Sequence, residues 1–371
     1  MIKSAYAKAG VDYGLMEPFK MTMIETGKKT LAFPNKRNVF IREDITHSHG
    51  AVFEYRGNKN HLWAQTQEGL GNKNWIAEWM YQNDGTGKTY YDTIGVDTAL
   101  MIVNDIIAQG AMPVVFTDHI DVGNSEWFAD EERSRDLATG FLRVCEETGM
   151  ALPAGETATL KYLVKPEPPI AIAPSLSGSV TGIIAPATRI ITGDIKPGYR
   201  IIGASSSGLH ANGVSLVIKE ALALPDQFLT KLPNNKTLGE EALIPTRSYV
   251  ALVEALLEAE IKIGTFLPGT GDGVGKIAFD KHAFTYRISN WPKVPELFTF
   301  FRENGLPLQD CLKTFNWGIG YYIFLPPEEV ERAIKIGTEA GYEMTNLGRV
   351  EEGPRRVIFE PENITLAPPG E

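Results

Sequence analysis

The sequence predicts an α/β or α+β protein of two domains. Three observations carry this. The chain has 371 residues, and at about 150 residues per domain it has room for two cores. Residues 92–156 run helix, strand, helix, strand, with apolar residues at the matching periods. From residue 200 the same mix begins again. The turn-rich stretch APATRIITGDIKPGYRI (185–201) lies between, so the boundary is expected near 186, giving domains 1–186 and 187–371.

Residues 1–60 alternate short apolar runs with Gly, Asn and Lys clusters and predict no definite element. Over 97–109, Leu100, Met101, Val103, Ile106 and Ile107 form an apolar stripe at helical spacing, stopped by Gly110. PVVFTDHI (113–120) reads as a buried strand. Residues 127–148 read as an amphipathic helix ending at Gly149, and ALPAGE (151–156) as a short strand entering a glycine turn. SLSGSVTGII (175–184) is a strand, and RIIGASSS (200–207) a strand entering a turn. Residues 211–223 and 245–260 are expected as helices, the second with Pro245 in its first turn. A Gly-rich loop (267–275), a helix (327–341) and a last strand (355–360) complete the order.

Charge narrows the function classes. There are 36 Lys and Arg against 46 Asp and Glu, a net charge of −10. A nucleic-acid surface needs a basic face, so none is expected. Phosphorylated small molecules stay open, because a few local lysines and helix N-termini suffice for them. Two cysteines, Cys145 and Cys311, are too few for a disulfide framework or a cysteine zinc site. They predict a reducing, cytoplasmic setting. The N-terminus has no apolar signal region and no run of about 18 apolar residues occurs, so no membrane span is expected.

Familiar nucleotide motifs are missing. Before Gly87-Lys88-Thr89 the first glycine of a Walker loop is replaced by Gln82; before Gly275-Lys276 it is Thr270, and Ile277 follows. There is no G-x-G-x-x-G, G-x-S-x-G or H-E-x-x-H. His47 and His49 have no evident third ligand and read as loop residues.

Five segments could carry chemistry. Gln67-Glu68-Gly69-Leu70-Gly71-Asn72-Lys73 combines an acid, two glycines and a lysine. Backbone N–H groups and Lys73 suit a phosphate, and Glu68 suits Mg2+, although such runs are more often turns. Asp92, Asp97, Asn104 and Asp105 form the second group. Eight residues at about 100° leave Asp97 and Asp105 roughly 80° apart around the helix. The bland alternative is a cap at Asp97 and a solvated Asp105. Gly155-Glu156-Thr157 follows a strand and could present Thr157 and N–H groups to a ligand. In the fourth, Ser205 to Gly213, hydroxyls at a helix start suit an anion, or Asn212 is only an N-cap. Pro268-Gly269-Thr270-Gly271-Asp272-Gly273-Val274-Gly275 holds more glycine than a plain turn needs.

Taken in order, these segments resemble one family, the aminoimidazole ribonucleotide synthetases, also called phosphoribosylformylglycinamidine cyclo-ligases. The resemblance runs from AYAKAGVD (5–12) through DTIGVDTALMIVNDIIAQGAMPVVFTD (92–118), AGETA (154–158) and SSSGLHANGVSL (205–216) to PTRSYV (245–250) and FNWGIGYYI (315–323). It implies a two-domain synthetase fold with mixed sheets backed by helices, the N-terminal sheets forming a barrel across a homodimer. It implies ATP- and Mg2+-dependent closure of formylglycinamidine ribonucleotide to aminoimidazole ribonucleotide through an iminophosphate.

Carried over residue by residue, the resemblance gives Glu68, Asp97 and Asp105 to Mg2+. Glu68, Gly69, Gly71, Lys73, Asn104, Gly155, Glu156 and Thr157 would face ATP. Ser206, Ser207, His210, Asn212 and Thr270 would face the ribonucleotide. Lys73, Asp105 and His210 would act in the chemistry. The chain departs from the family pattern at four places. Glu68 replaces an aspartate, Thr159-Leu160-Lys161 replaces Met-Pro-Gly, Phe266 replaces a histidine, and Trp317 replaces a cysteine. The alternative is a relative that binds ATP and phosphorylates another small substrate, in the manner of a thiamine-phosphate kinase, or serves as a nucleotide-binding partner protein.

Overall fold

The computed structural model describes residues 4–44 and 50–371; His47 and His49 lie outside them. It separates into two compact units, one of residues up to 106 with 113–186, the other of 107–112 with 187–371.

The first unit opens with α1 (Ala5–Lys8) and α2 (Tyr13–Thr30), followed by the hairpin β1 (Val39–Ile41) and β2 (Phe53–Tyr55). Helix α2 was not legible because Gly14, Pro18 and Gly27 depress its helix propensity. Packing overrides this. Gly27 lets the helix lie on the Leu152 carbonyl, where any Cβ would collide. Thr30 Oγ1 then donates to the Gly27 carbonyl at 2.7 Å and accepts from the Leu152 N–H at 2.8 Å.

Next come β3 (Leu62–Gly69), α3 (Lys73–Asn83), α4 (Tyr91–Ile106), β4 (Met112–Val122), α5 (Glu131–Thr148), β5 (Ala151–Thr159) and β6 (Pro174–Ile184). The strands form one mixed sheet in the order β3-β6-β4-β5, with β3 antiparallel to β6 and β4 parallel to β5. A parallel pair requires a crossover, and α5 supplies it. Asp130 caps α5 by accepting from the N–H groups of Glu132 and Arg133, and Gly149 ends it at φ +74°. Helices α4 and α5 touch through Gly95 and Gly140: a Cβ on Gly95 would lie 2.6 Å from the Leu137 carbonyl oxygen. Fully buried Glu78 of α3 ties three elements together. It accepts from Tyr91 Oη (2.7 Å), Trp127 Nε1 (2.8 Å) and Arg133 (2.8 Å).

The second unit contains β7 (Arg200–Ser205), α6 (Val214–Leu222), α7 (Leu238–Ala242), α8 (Val250–Glu258), β8 (Thr265–Pro268) and β9 (Phe284–Ile288). It continues with α9 (Glu296–Glu303), α10 (Leu308–Thr314), β10 (Ile319–Leu325), α11 (Val330–Glu339), β11 (Met344–Glu352), β12 (Arg356–Phe359) and β13 (Ile364–Leu366). The seven strands form a sheet in the order β13-β12-β9-β11-β7-β10-β8, antiparallel at its centre and parallel where β12 meets β9. Helices α8 and α11 pack on one another, and α11 packs on β7 and β11.

Several expected elements shift. Pro245 does not open a helix; the chain is irregular there and α8 starts at Val250, where the Ser248 hydroxyl accepts the first N–H. Residues 355–360 do not hold the last strand, since β13 follows. Residues 267–275 are the end of β8 and the start of a 3-10 turn, Gly273–Ala278. Cys145 and Cys311 are both unpaired and buried, one in each unit. No helix among the described residues is long and apolar enough to cross a membrane.

Candidate functional site

In the first unit the segment 67–73 is not one loop. Gln67, Glu68 and Gly69 end β3, and Lys73 is the first residue of α3, so only 70–72 turn. Glu68 is exposed. It pairs across the sheet with Gly178, and a Cβ on Gly178 would lie 3.1 Å from Ile102 of α4. Directly opposed residues share a face, so Glu68 looks toward α4. Half-buried Asp105 stands one turn after Ile102 on that helix.

Asp97 is not a helix cap. Helix α4 begins six residues earlier, at Tyr91, and carries Asp97 into the core. There Lys73 Nζ meets it at 2.9 Å, both side chains fully buried. Burial pulls the Lys73 ammonium below its usual value, and the Asp97 charge opposes this. Lys73 therefore holds Asp97 in this structure. Asn104 is buried on the same helix. Among the described residues no three acidic, histidine or cysteine side chains gather as a metal site, so Glu68, Asp97 and Asp105 are not one cluster.

Gly155, Glu156 and Thr157 are not in a turn. They lie inside β5, because its pairing with β4 continues to Thr159. Together with α2 they line a cavity of about 330 Å³. Met23, Ile24, Leu31 and Leu152 give it apolar walls, and Lys20 and Lys28 give it two cations. Asp118 of β4 lines it too, and the expected site residues omit it. A signal existed: Asp118 interrupts the series Val114, Phe116, Ile120, Val122, all on the buried face.

In the second unit the turn after β7 is held from within. Ser206 Oγ donates to Asn316 Oδ1 at 3.1 Å, and Ser207 Oγ donates to the Pro245 carbonyl at 2.6 Å. His210 is buried at φ +57°, and its Nε2 accepts from the Ser207 N–H at 3.3 Å, which places the ring proton on Nδ1. Asn212 is not the N-cap of α6; Gly213 is, at φ +80°. The Gly-rich turn is adjacent, since a Cβ on Gly271 would lie 3.9 Å from Asn212 Oδ1. Thr270 Oγ1 is bonded to Lys276 Nζ. Asn316 organises these turns. It donates to the Gly208 carbonyl at 2.7 Å and accepts from the Gly318 N–H at 2.9 Å. The sequence does not reveal it because its partners Ser206 and Gly208 are distant in the chain. Phe266 and Trp317, where the resemblance would have His and Cys, are both buried core aromatics.

Turns of this composition in this order define a class. The N-terminal domain model of the AIR synthase related proteins matches residues 48–184 and the C-terminal model matches 196–360. The chain belongs to the AIR synthase related family. Relatives named phosphoribosylformylglycinamidine cyclo-ligase span it almost end to end. That of Pyrococcus horikoshii is 31% identical over 97% of this chain and 99% of its own length. That of Pyrococcus furiosus is 32% identical over 95% and 97%.

Solved structures agree on the fold. Thiamine-monophosphate kinase from Stenotrophomonas maltophilia K279a gives a TM-score of 0.61 at 17% identity, covering 91% of this chain and 96% of that one. Hydrogenase maturation protein HypE in complex with ATP gives 0.57 at 16% identity, covering 86% and 87%.

Proposed function

We propose that this chain is an ATP-dependent cyclo-ligase that converts formylglycinamidine ribonucleotide to aminoimidazole ribonucleotide in purine biosynthesis. The observation that carries it is kinship with cyclo-ligases over nearly the whole chain, 97% in the Pyrococcus horikoshii case. The γ-phosphoryl group of ATP passes to the formyl amide oxygen. The neighbouring amine nitrogen then attacks that carbon, and phosphate leaves with the oxygen. The demand on the protein is positioning and charge neutralisation, and no nucleophile is required.

In this reading residues 1–186 handle ATP and residues 187–371 handle the ribonucleotide. The cavity between α2 and β5, with Glu156, Thr157, Lys20 and Lys28, takes part of a phosphorylated ligand. Mg2+ usually binds through one or two carboxylates plus substrate phosphates. Glu68 and Asp105 fit that demand, whereas Asp97 is committed to Lys73. His210 and Asn212 face the ribonucleotide. Among the described residues β3 is an edge strand of its sheet, and we assign it to pairing with a second copy in a homodimer. A cytoplasmic enzyme suits two unpaired cysteines.

The test is ADP release with Mg-ATP, with and without formylglycinamidine ribonucleotide, alongside detection of aminoimidazole ribonucleotide. Substrate-dependent ADP with the imidazole product is expected; ADP without it would overturn the reading. Asp105→Asn should lower turnover on the order of 100-fold, because a neutral amide holds Mg2+ against the reacting phosphate less well than a carboxylate does. Its circular dichroism and melting should match the parent, and full activity would remove Asp105 from the site.

A further inference from the structure

The cavity of the first unit contains a polar group that this reaction scheme does not use. Asp118 lies between Phe116 and Ile120 on the buried face of β4 and is only 6% exposed. Among the described residues it forms no ion pair with any Lys, Arg or His. Its partner in the parallel pairing is Gly155, where any side chain would run into the Asp118 carboxyl. The glycine thus leaves the carboxyl room beside the cavity that both residues line.

Its charged and titratable surroundings can be named element by element. Glu156 acts on it from β5, and Cys145 lies near it on α5. Lys20 and Lys28 line the same cavity from α2. β6, next to β4 in the sheet, carries no titratable side chain over 174–184. Burial pushes the Asp118 carboxyl up to about 7; a hydrogen bond from its own backbone N–H opposes this, and the Glu156 charge adds to it. A carboxylic acid in that state offers one O–H donor beside one acceptor. Apolar walls at Met23, Ile24 and Leu152 suit a flat ligand.

We propose that Asp118 is the specificity-determining residue of this cavity, binding a planar ligand edge that sets an N–H donor beside an acceptor. The inference rests on the cyclo-ligase reading, which offers two sources of such an edge. One is the adenine of ATP, and the other is the formamide of the ribonucleotide substrate.

Titration calorimetry of the full chain with adenosine, and separately with formylglycinamidine ribonucleotide, from pH 6 to 8.5, separates the sources. The neutral fraction falls about 30-fold over that range, so affinity for the ligand that uses Asp118 should fall about 30-fold. Asn has the same donor beside the same acceptor at every pH. Asp118→Asn should therefore keep the pH 6 affinity throughout, while Asp118→Leu stays at least tenfold below the parent's pH 6 affinity at every pH. Comparison with Asp118→Asn removes any titration of the ligand itself. The inference is overturned if the Asn variant follows the parent's pH dependence with both ligands. It is also overturned if a folded Leu variant binds both as tightly as the parent at pH 6. Should the Leu variant fail to fold, the Asn comparison decides alone. Failure of the cyclo-ligase reading would show separately, as missing imidazole product with Asp118-dependent binding intact.

Discussion

Replacing Lys73 with methionine should destabilise the first unit by about 3–5 kcal/mol, the usual cost of stranding one partner of a buried ion pair. The Lys73 and Asp97 side chains are both fully buried and 2.9 Å apart. With the ammonium removed, the Asp97 carboxylate must either stay charged in the core or take up a proton. Lys73→Met combined with Asp97→Leu should recover much of the loss, because two apolar side chains carry no stranded charge. Urea titrations of the parent, both single variants and the double variant form the necessary cycle. If Lys73→Met unfolds at the parent's urea midpoint, the pair does not hold α3 against α4. The residue would then be released for the phosphate role that its sequence context suggests.

The second large effect concerns two glycines. Gly140→Leu should cost at least about 3 kcal/mol, at the upper end of overpacking penalties. A Cβ at 140 would lie 2.9 Å from the Gly95 Cα and would collide with the Asp92 carbonyl. The smaller variant is the sharper test. Helix propensity alone favours Gly140→Ala by about 1 kcal/mol, whereas the close approach of α4 and α5 opposes it. A lower melting temperature for Gly140→Ala is expected. A higher one would mean that the helices can separate at little cost.

These two cases show what the sequence made legible. Helix α5 announced itself through its periodicity and Gly149, β4 through an apolar run, and β6 through its alternation of small polar and apolar residues, because those signals are local. Asp97 read as a metal ligand or, more blandly, as a cap at a helix start, because its partner Lys73 comes from another element. Asn316 and Asp118 escaped for the same reason. Each owes its role to residues that meet it only in the folded chain: Ser206 and Gly208 for Asn316, and Gly155 for Asp118. Helix α2 escaped for the opposite reason. Its glycines and proline look like breakers, yet Gly27 is what lets it approach β5. The family motifs carried the order of the turns and not the internal bonds that hold Ser206, Ser207 and Thr270.

The two buried cysteines supply an internal clock for each unit. Burial is the leading cause raising both thiols above their ordinary values, so a thiol reagent meets little thiolate in the native protein. Labelling then waits on opening. Modification of Cys145 times exposure of the first unit, and modification of Cys311 times exposure of the second. Mass spectrometry of one quenched time course would read both rates from unaltered protein. Equal rates would reveal a chain that opens as a whole, and unequal rates would rank the units by how readily each lets go.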